Sequence, residues 1–120
     1  MENQIKKALI IKSTPIDKIL AGTKTWEMRS TPTKLRGRIG LIKSKSGKIW
    51  GQANLVDCIG PLTIEDRLKA QRFHQITPER LELPEVAKYN YAWVLEDVEA
   101  FVTPRAYIHP PGAVIWVNLD

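Results

Sequence analysis

Strand-length apolar runs, each stopped within about a dozen residues by a turn signal, leave this chain few folds other than a small sheet closing on itself. Lys7 to Lys12 (Lys-Ala-Leu-Ile-Ile-Lys) has the composition of a buried strand. Thr25 to Arg29, Arg38 to Ser44, Ile49 to Ile59, Tyr91 to Glu96 and Ala113 to Leu119 also read as strands, and Ala100 to Thr103 extends the fifth after an acidic turn. Lys45-Ser-Gly-Lys48 reads as a tight hairpin connection, Gly60-Pro61 ends the long strand, and Pro110-Pro111-Gly112 forces a turn before the last one. Helical spacing is confined to Ile16 to Ala21 and to Thr63 to His74, the second with Thr63 as N-cap and Glu65 and Asp66 in its first turn. Gln75 to Lys88, with Pro78 and Pro84, reads as an irregular or short-helical insertion. The sum is an α+β domain: a partly closed mixed β-barrel of five to seven strands with two or three flanking helices.

A chain of 120 residues with 43% hydrophobic content is expected to form one domain over residues 1–120. No apolar run approaches the roughly 20 residues that span a bilayer, and Met-Glu-Asn-Gln-Ile-Lys-Lys lacks the order of a signal peptide, so a cytoplasmic location and no membrane partner are expected. The single cysteine, Cys58, has no partner for an internal disulfide and reads as a small core residue. His74 and His109 lack metal-ligand spacing, and the seven glycines are scattered rather than gathered into a phosphate loop. No metal and no cofactor are expected; the oligomeric state is left open.

Charge is distributed unevenly along the chain. Residues 1–56 hold 12 Lys or Arg against three acids, and residues 57–120 hold six against ten, within a net charge of +5. Lys34, Arg36, Arg38, Lys43, Lys45 and Lys48 follow one another without an acid between them, as in a surface offered to phosphates. Just before them, Gly22-Thr-Lys-Thr-Trp-Glu-Met-Arg29 places two cations and a carboxylate behind a glycine turn. Strand alternation puts Thr25, Glu27 and Arg29 on one face and Trp26 and Met28 on the other, with Lys24 free to reach either. Close charges at a strand mouth shift proton affinities and prepare groups for binding or proton transfer.

Gly22-x-Lys24-x-x-Glu27-x-Arg29, with a strand and a Pro15-led helix before it and Leu35-Arg-Gly-Arg-Ile39 after it, resembles the signature of the ASCH domain, a branch of the PUA-like superfamily. The Tyr91-Ala-Trp93 strand and the Pro111 to Trp116 ending are similar to the closing half of such domains. The resemblance implies a PUA-like barrel and a role linked to RNA or modified bases. Some small relatives are N4-acetylcytidine amidohydrolases using a lysine, a threonine and a glutamate, and others have been assigned nuclease activity or binding alone. The amidohydrolase lysine falls on Lys24, but the nucleophilic threonine falls on Glu27, and a carboxylate does not replace an activated hydroxyl. Thr25 is a displaced alternative, about 6–7 Å away along a strand. For the third catalytic position the resemblance leaves Glu65, Glu79 and Glu82 open.

The expected function is binding of single-stranded RNA or a modified nucleoside in a cleft around Lys24, Glu27 and Arg29. Trp26, Trp93 and Tyr107 are candidate walls for a flat base, and Arg36 and Arg38 candidate phosphate contacts. Two other classes stay open: hydrolysis of a modified nucleoside or of RNA by Lys24, Glu27 and Thr25, and a protein-interaction module using the acidic second half.

Overall fold

The computed structural model describes residues 5–119; the N-terminal Met1 to Gln4, read above for targeting, lies outside them. Lys7–Ile11 forms β1, buried on both faces as its unbroken Ala-Leu-Ile-Ile run requires. Ser13–Leu20 forms α1, with Ile16 and Ile19 buried, and Trp26–Arg29 forms β2. β3 (Gly37–Lys43) and β4 (Lys48–Ile59) follow. Four short helices, α2 (Ile64–Lys69), α3 (Gln71–His74), α4 (Pro78–Leu81) and α5 (Pro84–Ala87), precede β5 (Tyr91–Ala106) and β6 (Trp116–Asn118).

The strands form one mixed sheet in the order β2-β5-β4-β3-β1-β6, curled into a half-barrel as the sequence predicts. β1 and β3 are parallel, with Ile11 opposite Lys43; the other pairs are antiparallel. A parallel pair needs a long crossover, here α1, β2 and the loop after it. The β4–β5 ribbon breaks register at three places, and such irregularities bend a ribbon and so help curl the sheet. Leu9, Ile11, Ile16, Ile19, Leu41, Leu55, Trp93 and Leu95 fill the inside of the curl.

Gly51 lies where the ribbon bends over α1. A Cβ there would sit 2.5 Å from the Glu99 carbonyl oxygen and 2.6 Å from Leu20 Cδ2, and the first of these neighbours is backbone. Gly51→Ala is therefore expected to destabilise by about 1–3 kcal/mol in urea unfolding, through overpacking rather than lost contact.

Three elements differ from expectation for local reasons. The Thr63 to His74 helix is divided at Ala70 (φ −105°, ψ 18°), where the Arg67 carbonyl accepts from Ala70 N at 3.2 Å and from His74 Nε2 at 2.6 Å. The capping box at its start, Thr63 with Asp66, is formed. β5 does not stop at the acidic turn: it runs through Asp97, which takes φ 52° within the irregular ribbon. The last strand contracts to Trp116–Asn118. Each proline of the insertion begins a single-turn helix, α4 or α5, where its missing N–H costs nothing. Among the described residues no helix is long and apolar enough to cross a membrane.

Candidate functional site

The site lies in the seam of the half-barrel, where β2 at one end of the sheet faces β1 near the other. α1 closes on Gly22 (φ 86°), a conformation that favours glycine, and Thr23 N and Lys24 N both donate to the Lys18 carbonyl. Thr25 is then held from both sides, its amide donating to Phe73 O and its carbonyl accepting from Leu95 N. This fixes the backbone beside Lys24 and sends its side chain into the fold.

Lys24 is only 3% exposed, and its Nζ donates to the His74 carbonyl at 2.6 Å. Burial pulls its pKa from 10.5 down to about 8; Glu27 pulls it back up, and Lys18, Arg80 and Arg29 reinforce the fall. One of three ammonium protons is thus used by the protein. Arg29 closes the seam: its Nη2 donates to Ile10 O of β1 at 2.8 Å, it holds Glu27 Oε2 at 2.9 Å, and its guanidinium lies 5.5 Å from the Trp93 ring centroid. Glu27, 7% exposed, keeps Oε1 without a hydrogen-bond partner among the described residues.

His74, fully buried, sets the position of the carbonyl that Lys24 uses. Its Nδ1 accepts from Ile76 N at 2.9 Å, which leaves the proton on Nε2 to donate to Arg67 O. Burial holds the imidazole below its ordinary pKa, against the raising effect of the Arg67 carbonyl; Lys24 and Arg67 add to the lowering. Gln75 follows in the left-handed region at φ 61°, turning the chain along the cleft.

Lys24, Glu27 and Arg29 open into a cleft of about 730 Å³. Lys12, Lys18, Lys45 and Arg80 stand around it, and Tyr89 contributes an aromatic ring; among the described residues Glu27 is the one carboxylate lining it. The floor offers an ammonium donor and a free carboxylate acceptor side by side, a pattern suited to the edge of a planar polar ligand. Among the described residues no cluster of His, Cys, Asp or Glu could hold a metal ion.

Of the candidate catalytic and base-binding residues, Lys24, Glu27 and Arg29 are brought together and the others are not; of the basic row, Lys45 also lines the cleft. Thr25 does not line the cleft. Trp26 stacks on Phe73 at 4.9 Å between centroids, outside it. Trp93 is 2% exposed, stacks on Trp116 and donates to Thr31 O, so it reaches the site only through Arg29. Arg36 lies 3.9 Å from Asp57 and bonds the carbonyls of Thr33 and Leu35. Arg38 is engaged by Asn54, the Asp97 carbonyl and Glu99. Tyr107 bonds His109, and its pKa is raised by burial. None of Glu65, Glu79 and Glu82 lines the cleft. His74, Arg80 and Tyr89 were missed, because only the folding of the 63–89 segment over the seam gives them a place there.

The buried lysine has a consequence for stability. Its folded-state pKa lies below the unfolded value, so the unfolded chain binds more protons between about pH 8 and 10.5, and this contribution to stability rises with pH across that window. The rise is on the order of 3 kcal/mol and is expected to be absent from Lys24→Met, read as the difference between the two proteins' urea midpoints at pH 7.5 and 10.5.

The family model described as "ASCH domain" matches residues 9–105. The crystal structure of ASCH from Zymomonas mobilis superposes with a TM-score of 0.67 at 16% identity, covering 94% of this chain and 87% of that one. A tyrosine-to-phenylalanine variant of the same protein gives 0.70 at 16% identity, covering 98% and 91%, and a serine-to-alanine variant gives 0.69 at 16%, covering 95% and 87%. No curated protein matches the chain significantly. With a matching model that spans most of its length and the same fold as solved ASCH structures, the chain belongs to the ASCH domain family.

Proposed function

We propose that this ASCH domain acts in RNA metabolism by binding single-stranded RNA or a modified nucleobase in the seam cleft, with Lys24, Glu27 and Arg29 as its floor. The observation that carries this is the composition of the cleft: among the described residues, six cations (Lys12, Lys18, Lys24, Arg29, Lys45 and Arg80) stand against the single carboxylate of Glu27. Such a field attracts a polyanion, while the Lys24 and Glu27 pair is placed to read a base edge and Tyr89 to stack on its face. Affinity for a short single-stranded RNA should fall linearly with salt on logarithmic axes, with a slope set by the phosphates neutralised. Lys24→Ala should weaken binding at every salt concentration. Binding that is insensitive to both salt and Lys24 would dismiss the proposal.

A second role is favoured by one observation, the lowered pKa of Lys24 beside a carboxylate with a free oxygen. In this reading the cleft hydrolyses a modified nucleoside or RNA, Glu27 activating water and the Lys24 ammonium stabilising the oxyanion. A panel of acylated and alkylated nucleosides, followed by chromatography with Lys24→Ala and Glu27→Ala as controls, tests it. Full turnover by Glu27→Ala would remove it. A protein-interaction role for the acidic second half has less to stand on, since Asp57 and Glu99 are paired with Arg36 and Arg38 of the chain itself.

A further inference from the structure

The carboxyl ends of the two parallel strands bring a separate group of side chains to the mouth of the cleft. Ile11 pairs with Lys43, and Ser44 N donates to Ile11 O at 2.8 Å, so the chain leaves β1 as Lys12-Ser13-Thr14 beside Ser44-Lys45 leaving β3. Lys18 lies one helical turn beyond Thr14 and returns to the same side. Lys12, Ser13, Thr14, Lys18, Ser44 and Lys45 all line the cleft.

Two observations set this group apart from ordinary surface charge. Among the described residues no carboxylate lies within salt-bridge distance of Lys12, Lys18 or Lys45, whereas the adjacent Lys43 is tied to Asp17 at 2.9 Å and lies over the Trp50 ring. Lys45 also holds φ 69°, a left-handed conformation that disfavours a residue with a Cβ and in which a glycine or asparagine would be at ease. A lysine kept in strained backbone, among like charges and with no counter-charge among the described residues, at the rim of a cavity, is an arrangement found where the side chain is needed for a ligand.

We infer that Lys12, Lys18 and Lys45, with the hydroxyls of Ser13, Thr14 and Ser44, form a phosphate subsite, so that the ligand of this cleft is a nucleotide unit rather than a free nucleoside. The inference rests on the nucleobase-binding role proposed above. The base enters toward Lys24 and Glu27, and the phosphate stays at the strand ends, where several N–H and O–H donors can converge on its oxygens. The phosphate is either that of a mononucleotide or an internal one of an RNA strand; both carry the anionic oxygens the subsite takes.

Three ligand sets separate the possibilities: the four common nucleosides, their 5′-monophosphates, and dinucleoside monophosphates, whose only phosphate is internal. Each is titrated by calorimetry into the wild type, Lys45→Gly and Lys18→Ala. At least one phosphate-bearing set is expected to bind about tenfold or more tightly than the matching nucleosides, the ratio expected of charge-assisted hydrogen bonds. Tighter binding of the monophosphates identifies a terminal phosphate, and tighter binding of the dinucleotides an internal one. Lys45→Gly should collapse that ratio toward one without lowering Tm, since glycine accepts φ 69°. Equal binding of nucleosides and phosphates in the wild type overturns the subsite and leaves the cleft's role standing. A ratio that survives both substitutions places the phosphate elsewhere and also overturns it. Binding of none of the three sets removes the subsite together with recognition of a common nucleobase.

Discussion

Arg29→Met is expected to cost the fold about 3–5 kcal/mol, the largest stability loss of any single substitution in the site. Arg29 joins two strands that are not neighbours in the sheet, reaching from β2 to the Ile10 carbonyl of β1 across the open seam. It also neutralises Glu27, which is 7% exposed and has no other cation within salt-bridge distance among the described residues. Removing the guanidinium leaves a buried carboxylate and a backbone carbonyl without donors, which costs far more than the pair contributed as a net attraction. Equilibrium urea unfolding measures the loss. Adding Glu27→Gln to Arg29→Met should recover a substantial part of it, because the stranded charge is gone; a double variant as unstable as the sum of the two singles would place the effect in packing against Trp93 instead. Arg29→Lys should fall between, since one ammonium cannot reproduce the planar fork that serves both Ile10 O and Glu27.

Lys24→Met is expected to have the opposite profile, with ligand affinity lowered about a hundredfold and stability near neutral pH changed by no more than about 1–2 kcal/mol. The ammonium is the buried donor of the cleft floor, so no solvated lysine at the rim can take its place. For stability two effects oppose each other: the His74 carbonyl loses its 2.6 Å donor, and the protein is relieved of desolvating a charge. Methionine keeps the volume and the flexible stem. Parallel calorimetric titration and urea unfolding of the variant give the two numbers. A large loss of stability with unchanged affinity would make Lys24 a structural residue.

The sequence made the local parts of this site legible and left its assembly hidden. The Gly22 turn and the strand after it follow from backbone preferences and a period of two, both short-range properties, and so Lys24, Glu27 and Arg29 were found together. Trp26 was placed correctly on a strand, yet its side chain is covered by Phe73 of α3, a contact fixed by how the insertion folds back. The basic row was visible as charge, but antiparallel pairing of β3 with β4, and of β4 with β5, sets Arg38 opposite Asn54 and beside Glu99, so Arg38 is paired within the sheet while Lys45 of the same row reaches the cleft. The rim cations Lys12 and Lys18, at and within α1, meet Lys45, in the turn after β3, because β1 and β3 run parallel, which no spacing along the chain discloses. The break at Ala70, with His74 bonding Arg67 O beside it, likewise shows only in the folded chain.

Titrating the ¹⁵N-labelled protein with a short single-stranded RNA and following its backbone amides shows whether the seam cleft is where this ASCH domain meets RNA. Shift changes centred on Lys24, Glu27, Arg29 and Lys45 are expected in the wild type, with their loss in Lys24→Met. Changes centred instead on Arg36, Arg38 and the β4–β5 ribbon, and undiminished in Lys24→Met, would contradict binding in the seam cleft.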